Sequence, residues 1–446
     1  MDSFLRQVFA ALDEAKITYA LLRGFEELEW PAASSEVDLV VAPAHLPQLA
    51  ETLTAKNFVA LPAWGHAPHH FFVAYDRAAG SWLKFDVVSD LRYGQPFRTL
   101  RVDLLQRCLQ NRQRREYTYV LAPGDEFFTL FLHCLLDKGY FRDARRERLI
   151  ALRRQIGKDN IMQKAVAEYF ARYLAPALPW DTLAAAIDNN EWQTILQRRQ
   201  AVVRRLLQRA PLASAWQKIS TLILRRLRPL FFTLRGRGVA VALLAPDGAG
   251  KSTLAQSLTQ DNFLRAKLVY MGTNIAASTV GLPTTKWLHE RLKARNGVKK
   301  KKKNLGFIAL KVFSFINRLV EQWYRAGAAL AYLWRGRLVV FDRYIYDAWL
   351  NKPAKTPWKR LRRKMLESIC PTPDLVVLLD APGKMLWERK HEHTPEWLEQ
   401  QRRGYLALKD RVPQMRIVDA TQEVETVKRE VTAMIWAKHG SRTGKN

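Results

Sequence analysis

The sequence predicts an α/β protein: a C-terminal parallel sheet wound by helices, preceded by a smaller α/β domain and a helical segment. Three observations carry that expectation. The chain has 446 residues, more than one ordinary hydrophobic core encloses. From residue 236 onward, apolar runs of strand length alternate with helical patterns, as in a parallel sheet whose crossovers are helices. Between about 121 and 235, apolar residues recur at three- and four-residue spacing. The expected organisation is therefore 1–120, 121–235 and 236–446.

Residues 1–120 open with "MDSFLRQVFAALDEAKITY", an amphipathic helix whose scattered charges are unlike a signal-peptide core. The runs "YALLRGF", "VDLVVAP", "HHFFVAY" and "WLKFDVV" then read as strands. Gly24 marks a turn, and twelve residues later Glu36 and Asp38 alternate on a strand so that both carboxylates face one side. Asp86 lies mid-strand among apolar residues. Three converging carboxylates, Glu36, Asp38 and Asp86, suit a pair of Mg²⁺ ions; solvent-facing strand acids are the competing reading. His66, His69 and His70 of "GHAPHH" read as a polar loop rather than metal ligands, and His133 as a packed residue of an apolar helix.

The middle segment begins at "LAPGDEFFTLFLHCLLDKGYF", where "PGDE" is a helix start signal. Its end is basic: from Trp192 to Pro246 there is no Asp or Glu but there are 11 Lys and Arg. Apolar and basic residues alternate there in a way that suits a helix lying on an anionic membrane. A solvated basic helix packed on its neighbours fits the same pattern, and both readings stay open.

The third segment supplies the strongest motif. "GVAVALLAPDGAGKST" runs strand, loop, helix, and its loop approaches the pattern GxxxxGK[ST] with Ala245 at the first glycine. Backbone N–H groups of such a loop curl around phosphates at a helix N-terminus. Lys251 would bridge the β and γ phosphates of ATP and Ser252 would face Mg²⁺. Asp247, Gly248, Ala249, Gly250, Lys251, Ser252 and Thr253 are thus the candidate nucleotide contacts. An alanine at 245 is tolerable where φ is negative and costly where it is positive.

Two later strands end in acids at the carboxyl edge, where ligands of parallel sheets bind. Asp342 of "GRLVVFDRY" is the natural Mg²⁺ partner, and Arg343 the grip for an acceptor phosphate. Asp380 of "PDLVVLLDAP" reads chiefly as a helix cap. The basic "WERKHEHTPEWLEQQRRGYLAL", with Arg389, Lys390, Arg402 and Arg403, suits a lid over the transferring phosphoryl group. Lysines 299–303 read as a solvated loop, and "FIALKVFSFINRLVEQWYRAGAALAYLW" as an amphipathic core helix rather than a membrane span.

On "PDGAGKST", "FDRY", "PDLVVLLDAP", "ERKHEHTPEWLEQQRRGYL" and "RIVDATQEVETVKREV", residues 238 to about 436 resemble the thymidylate kinase family of P-loop NTPases. The resemblance implies ATP, Mg²⁺ and a small-molecule phosphate acceptor, with Asp247 facing the acceptor, Asp342 and Arg343 as the DR[YF] pair, and Arg389 and Arg402 as lid arginines. Where that family reads thymine, this chain has "YMGTNIAAS" and "DRYIYDAWLNKP" instead. It is more similar to divergent thymidylate kinase-like proteins found with bacterial surface-polysaccharide genes, which leaves the acceptor open between dTMP and another phosphorylated or sugar-type small molecule. The first segment resembles the nucleotidyltransferase superfamily, with Gly24-Phe25 at its turn and a helical tail like "FFTLFLHCLLDKG".

Composition bounds the alternatives. The whole chain carries 72 Lys and Arg against 42 Asp and Glu, a net charge of +30, yet residues 1–120 hold 13 against 14. The surplus lies in the middle and C-terminal parts, so polyanions are the expected partners. Nucleic acid ranks last among them, because no reading motif is present. Cys108, Cys134 and Cys370 lack CxxC spacing, which argues against zinc and disulfides and for a cytoplasmic setting, with the inner membrane face as a peripheral option. An ATP-dependent kinase is the first expectation. A protein whose N-terminal domain does the main chemistry, with the P-loop domain as a nucleotide switch, is the second. The oligomeric state is open, a dimer included.

Overall fold

Apolar runs become the strands of a seven-stranded and a five-stranded sheet, beside a small two-stranded one, in the computed structural model, which describes residues 3–24, 35–63, 65–234, 238–264, 266–271, 305–350, 360–361, 364–365, 368 and 370–443. The lysine run 299–303, Phe25, "TNIAAS" and "NKP" lie outside the described residues. The chain divides into two compact units, Met1–Arg228 and Pro229–Asn446. Through Arg228, the helical stretch read from the sequence as its own segment packs as part of the first unit.

The first unit runs α1 (Ser3–Glu14), β1 (Tyr19–Leu21), β2 (Ser35–Val41), α2 (Leu46–Ala55), β3 (Val59–Leu61), β4 (His69–Asp76), β5 (Ser81–Val88), β6 (Arg92–Tyr93), β7 (Leu100–Arg101), α3 (Leu105–Gln110), β8 (Gln113–Arg115) and β9 (Thr118–Val120). Helices follow: α4 (Pro123–Leu132), a π-helical turn (His133–Lys138), α5 (Asp143–Ile156), α6 (Asn160–Tyr173), α7 (Trp180–Asp188), α8 (Trp192–Gln197), α9 (Arg199–Arg209) and α10 (Pro211–Leu234). Its seven-stranded mixed sheet has the order β3-β4-β5-β2-β1-β9-β8. Strand alternation sends Leu39, Val41 and Phe85 to one face, packed on Leu5, Phe9, Leu12 and Leu53 of α1 and α2. Ala20, Val40 and Val88 go to the other face, beneath Phe127, Phe128, Phe131 and Phe170 of α4 and α6. A sheet covered by helices on both faces follows from that two-sided apolarity.

The second unit contains β10 (Ala240–Leu244), α11 (Lys251–Gln260), β11 (Lys267–Tyr270), α12 (Leu305–Trp334), β12 (Val339–Asp342), β13 (Leu375–Asp380), α13 (Gly383–Lys390), α14 (Pro395–Leu406), β14 (Met415–Asp419) and α15 (Val424–Thr443). All five strand runs expected from the sequence are present and all pair in parallel, in the order β11-β12-β10-β13-β14. The chain leaves β10 toward one edge and returns past it toward the other, so β10 is the switch point of the winding. Ligands of such sheets bind at the carboxyl ends beside that point. Val241, Leu243, Val340 and Val377 are fully buried, the near-continuous apolarity of strands covered on both faces.

Candidate functional site

The turn after β10 leads directly into α11, whose N-cap is Gly250 with φ +83°. Gly248 has φ +90°, and a Cβ there would stand 2.6 Å from the Leu386 carbonyl oxygen of α13. A Cβ on Gly250 would meet nothing within 4 Å, so that glycine serves the left-handed dihedral alone. Ala245 is buried and is not among the residues with positive φ. The methyl group at the loop entry is therefore accommodated without strain. Ala249 is buried beneath the loop, while Ser252 and Thr253 are exposed on the first turn of α11.

Four charged groups from three segments meet above the sheet edge. Lys251 is buried, with Nζ 3.7 Å from Asp342 Oδ1 at the end of β12. Burial pushes its ammonium below the ordinary lysine range, opposed by Asp347, Asp342 and Asp247. Arg343, in the left-handed region at φ +58°, donates to Asp247 Oδ1 at 2.8 Å. Burial disfavours its charge, but Asp247 and Asp347 outweigh that and raise its pKa.

Asp347 was not among the residues singled out from the sequence. It sits in the 3₁₀ turn Ile345–Trp349, where Tyr405 of α14 donates to its Oδ1 at 3.0 Å. Its Oδ2 is buried with no hydrogen-bond partner among the described residues. Burial raises its pKa above the usual carboxylate range, against the pull of Lys251 and Arg343. The available signal was a second acid five residues after Asp342 in "DRYIYD".

The arginines expected of a lid are anchored within the second unit. Arg402 donates to both carboxylate oxygens of Asp380, at 2.7 and 2.9 Å, and to Glu399 at 3.1 Å. The hydrogen bond to Asp380 raises its pKa further. Asp380 was expected to cap a helix. It does not: α13 starts at Pro382 without a side-chain cap, because the bidentate grip of Arg402 occupies the carboxylate. Arg389 donates to the Ala420 carbonyl at 3.0 Å, just past β14. Lys390 pairs with Glu392, and Arg403 with Glu399.

In the first unit, Glu36 and Asp38 of β2 stand beside Asp86 of β5, paired in register, and a carboxylate oxygen of each lies within 4.8 Å of the others. Each acid already has a cation or imidazole: Lys84 on Glu36 at 2.6 Å, Arg23 on Asp38 at 2.7 Å, His69 on Asp86 at 2.6 Å. Burial opposes ionisation of Asp38, but Arg23 outweighs it and holds the carboxyl below its usual range. His66 lies in a loop as expected, but the other two histidines of "GHAPHH" do not. His69 and His70 begin β4, because the alternation of "HHFFVAYD" extends back through them, and His69 is buried. His133 is half-buried in the π-helical turn, bonded to Asp137 at 3.1 Å, and burial lowers its pKa.

No family model matches the chain. Toward its C-terminal part it is similar to the thymidylate kinase of Xylella fastidiosa strain M12, 28% identical over 205 residues, covering 43% of this chain and 83% of that relative. The second unit has the P-loop NTPase fold and is similar in sequence to thymidylate kinases. A probable thymidylate kinase of Thermococcus onnurineus is 31% identical over 111 residues, and one of Archaeoglobus fulgidus 34% over 107. Those two matches span 52% and 54% of the archaeal proteins and 22% of this chain. Among solved structures, the thymidylate kinase of Candida albicans aligns at 20% identity with a TM-score of 0.32, covering 45% of this chain and 92% of that one.

Kinases of this class use a divalent cation with the nucleotide, and the donors present fit one. Asp342 Oδ1 is buried without a hydrogen-bond partner among the described residues, and the exposed Ser252 hydroxyl is a second hard oxygen of the kind such a cation takes.

Proposed function

We propose that the kinase unit transfers the γ-phosphoryl group of ATP to a small acceptor bound on the Arg343 side of the loop. The observation that supports this reading best is the joining of two parts. One is a loop with glycines at φ +90° and +83° at the helix start, and the other is the Lys251, Asp342, Arg343 and Asp247 cluster.

In this reading the amides of Asp247 to Thr253 cradle the nucleotide phosphates and Lys251 neutralises their charge. Ser252 and Asp342 hold Mg²⁺, which supplies further charge neutralisation at the transferring group. Arg343 presents a fork that matches an acceptor phosphate. Asp247 accepts from a donor group of the acceptor, and Arg389 and Arg402 sit on the lid elements that exclude water. The acceptor is dTMP or another phosphorylated or sugar-type small molecule, in a cytoplasmic setting. The resemblance to surface-polysaccharide proteins and the altered "DRYIYDAW" favour an acceptor other than dTMP.

The test is ATP turnover by the full chain with Mg²⁺ against dTMP, other nucleoside monophosphates and sugar phosphates, with Lys251→Ala alongside. Loss of turnover in the variant is the expected result; full turnover refutes the proposal. Fast phosphorylation of dTMP alone would refute the altered acceptor.

A second reading gives the main chemistry to the first unit, as a nucleotidyltransferase-like domain with Glu36, Asp38 and Asp86 holding Mg²⁺. Their convergence within 4.8 Å favours it, and their existing partners Lys84, Arg23 and His69 weigh against it. Glu36→Ala with Asp38→Ala separates the two: function lost with ATP turnover unchanged supports the second.

A further inference from the structure

Helix α10 is amphipathic the wrong way round for a helix that packs on a protein. Its polar side chains face the first unit. Ser214 and Thr221 are buried, and Ser214 donates to the Thr99 carbonyl at 2.9 Å. Gln217 accepts from Arg92 at 3.1 Å and donates to the Ala67 carbonyl at 3.3 Å. Arg225 donates to the carbonyls of Gly65, at 3.1 Å, and Pro96, at 2.8 Å. The approach is close enough that a Cβ on Gly65 would stand 2.5 Å from the Arg225 side chain. These contacts fix which face is left over.

That remaining face is apolar. Leu212, Trp216, Ile219, Ile223 and Leu227 recur at spacings of four, three, four and four, one stripe of the helix. Trp216 is 71% exposed, Leu212 85% and Ile223 51%, where ordinary packing would have turned such residues inward. Contiguous exposed apolar surface marks a partner. Beside the stripe lies the exposed Arg226, in a stretch from Trp192 to Pro246 with no acid at all. Lys218 lies on the side toward the first unit, its Nζ 5.7 Å from the centre of the Phe97 ring. Among the described residues no helix is long and apolar enough to cross a membrane, and α10 carries Lys218, Arg225, Arg226 and Arg228 within its length.

We propose that this face of α10 seats the protein on an anionic phospholipid surface, lying in the interface without crossing it. Trp216 and the aliphatic stripe enter the headgroup boundary while Arg226 meets a lipid phosphate. Charge decides between occupants. A second copy joined through the same face would bring Arg226 near its like, with no acid in the segment to pair it, whereas an anionic bilayer matches both the apolar stripe and the charge.

The experiment is flotation of the full-length protein with vesicles of phosphatidylcholine and phosphatidylserine, beside vesicles of phosphatidylcholine alone, in the absence of nucleotide. Binding to the mixed vesicles is expected. It should fall by about tenfold or more for Trp216→Ser/Ile219→Ser/Ile223→Ser. Arg226→Gln should weaken binding and flatten its salt dependence. Because the substituted side chains point away from the first unit, both variants should unfold at the wild-type temperature, which separates lost binding from lost fold. Absence of binding to the mixed vesicles overturns the proposal. So does equal binding by the triple variant, or a dimer in light scattering that the triple variant abolishes. No nucleotide enters the assay, so any of these results leaves the kinase reading intact.

Discussion

Restoring the glycine that the phosphate loop lacks will weaken the protein and leave nucleotide affinity where it is. Ala245 is 3% exposed and its φ is not positive, so a glycine there has no strain to relieve. Ala245→Gly removes one buried methyl group, about 0.8 kcal/mol, and adds freedom to the unfolded chain, about 0.4–1 kcal/mol. The two together come to about 1–2 kcal/mol of lost stability. Gly248→Ala is the opposite case. At φ +90° a side chain costs about 1–2 kcal/mol, and its Cβ would stand 2.6 Å from a helix carbonyl that has no rotamer to yield. The loop must move to admit it. Urea unfolding and calorimetric titration with ATP, on the full chain in both variants, read the two effects separately. For Ala245→Gly the dissociation constant should stay within about twofold of the original, and for Gly248→Ala it should rise at least about tenfold, 1.4 kcal/mol. Tighter ATP binding by Ala245→Gly, or unchanged binding by Gly248→Ala, refutes the reasoning.

Three other perturbations probe the charged groups. Arg343→Lys keeps the charge but loses the fork that now bonds Asp247, so KM for the acceptor should rise about tenfold with KM for ATP unchanged, in steady-state kinetics. Asp347→Asn removes a buried carboxylate whose pKa is raised on folding, chiefly by burial. In the original protein that group favours the fold more as pH falls through its raised pKa. The variant should lose this dependence and gain about 1 kcal/mol at neutral pH in urea unfolding, while acceptor turnover drops. Asp38 has its pKa depressed, with Arg23 overcoming the burial that opposes ionisation, so its stabilisation is present above the ordinary carboxylate value and is lost as pH falls below it. Asp38→Asn should abolish that acid step and cost about 3 kcal/mol at neutral pH by leaving Arg23 buried without its partner, read by thermal unfolding.

What the sequence made legible follows from how each feature is encoded. The five strands of the second unit were readable because a covered parallel strand is apolar on both faces, as in "VALL" and "LVVLLD". Loop glycines were readable because a left-handed dihedral leaves few other choices. Asp347 was not, since nothing local distinguishes a buried acid in a short turn until Tyr405, 58 residues later, is folded against it. Asp380 misled for the same reason: a strand-end acid followed by Pro382 resembles a cap, and only α14 brings Arg402 to it. The inverted face of α10 was likewise hidden. A periodic apolar stripe states that one face is buried, and only the contacts with Gly65, Ala67 and Thr99 reveal that the polar face is the buried one.

The pairing of Arg343 with Asp247 also constrains the acceptor under the proposed reading. An acceptor phosphate that takes the Arg343 guanidinium leaves the Asp247 carboxylate without its partner, and an unpaired, partly buried carboxylate costs free energy. A neutral sugar has the reverse defect, because its hydroxyl can bond Asp247 but offers nothing to compete for the guanidinium. The exchange is balanced only when one molecule brings an anion for Arg343 and a hydrogen-bond donor for Asp247, a few ångströms apart. Sugar phosphates and nucleoside monophosphates meet that condition, whereas free sugars do not. Asp347 adds a second demand on the same molecule, since its buried Oδ2 has an unmet capacity to accept a hydrogen bond. The cleft therefore asks for an acceptor with several hydroxyl or amide donors around one phosphate, and discrimination should be strongest against analogues that lack a donor, because removing one strands a carboxylate in the site.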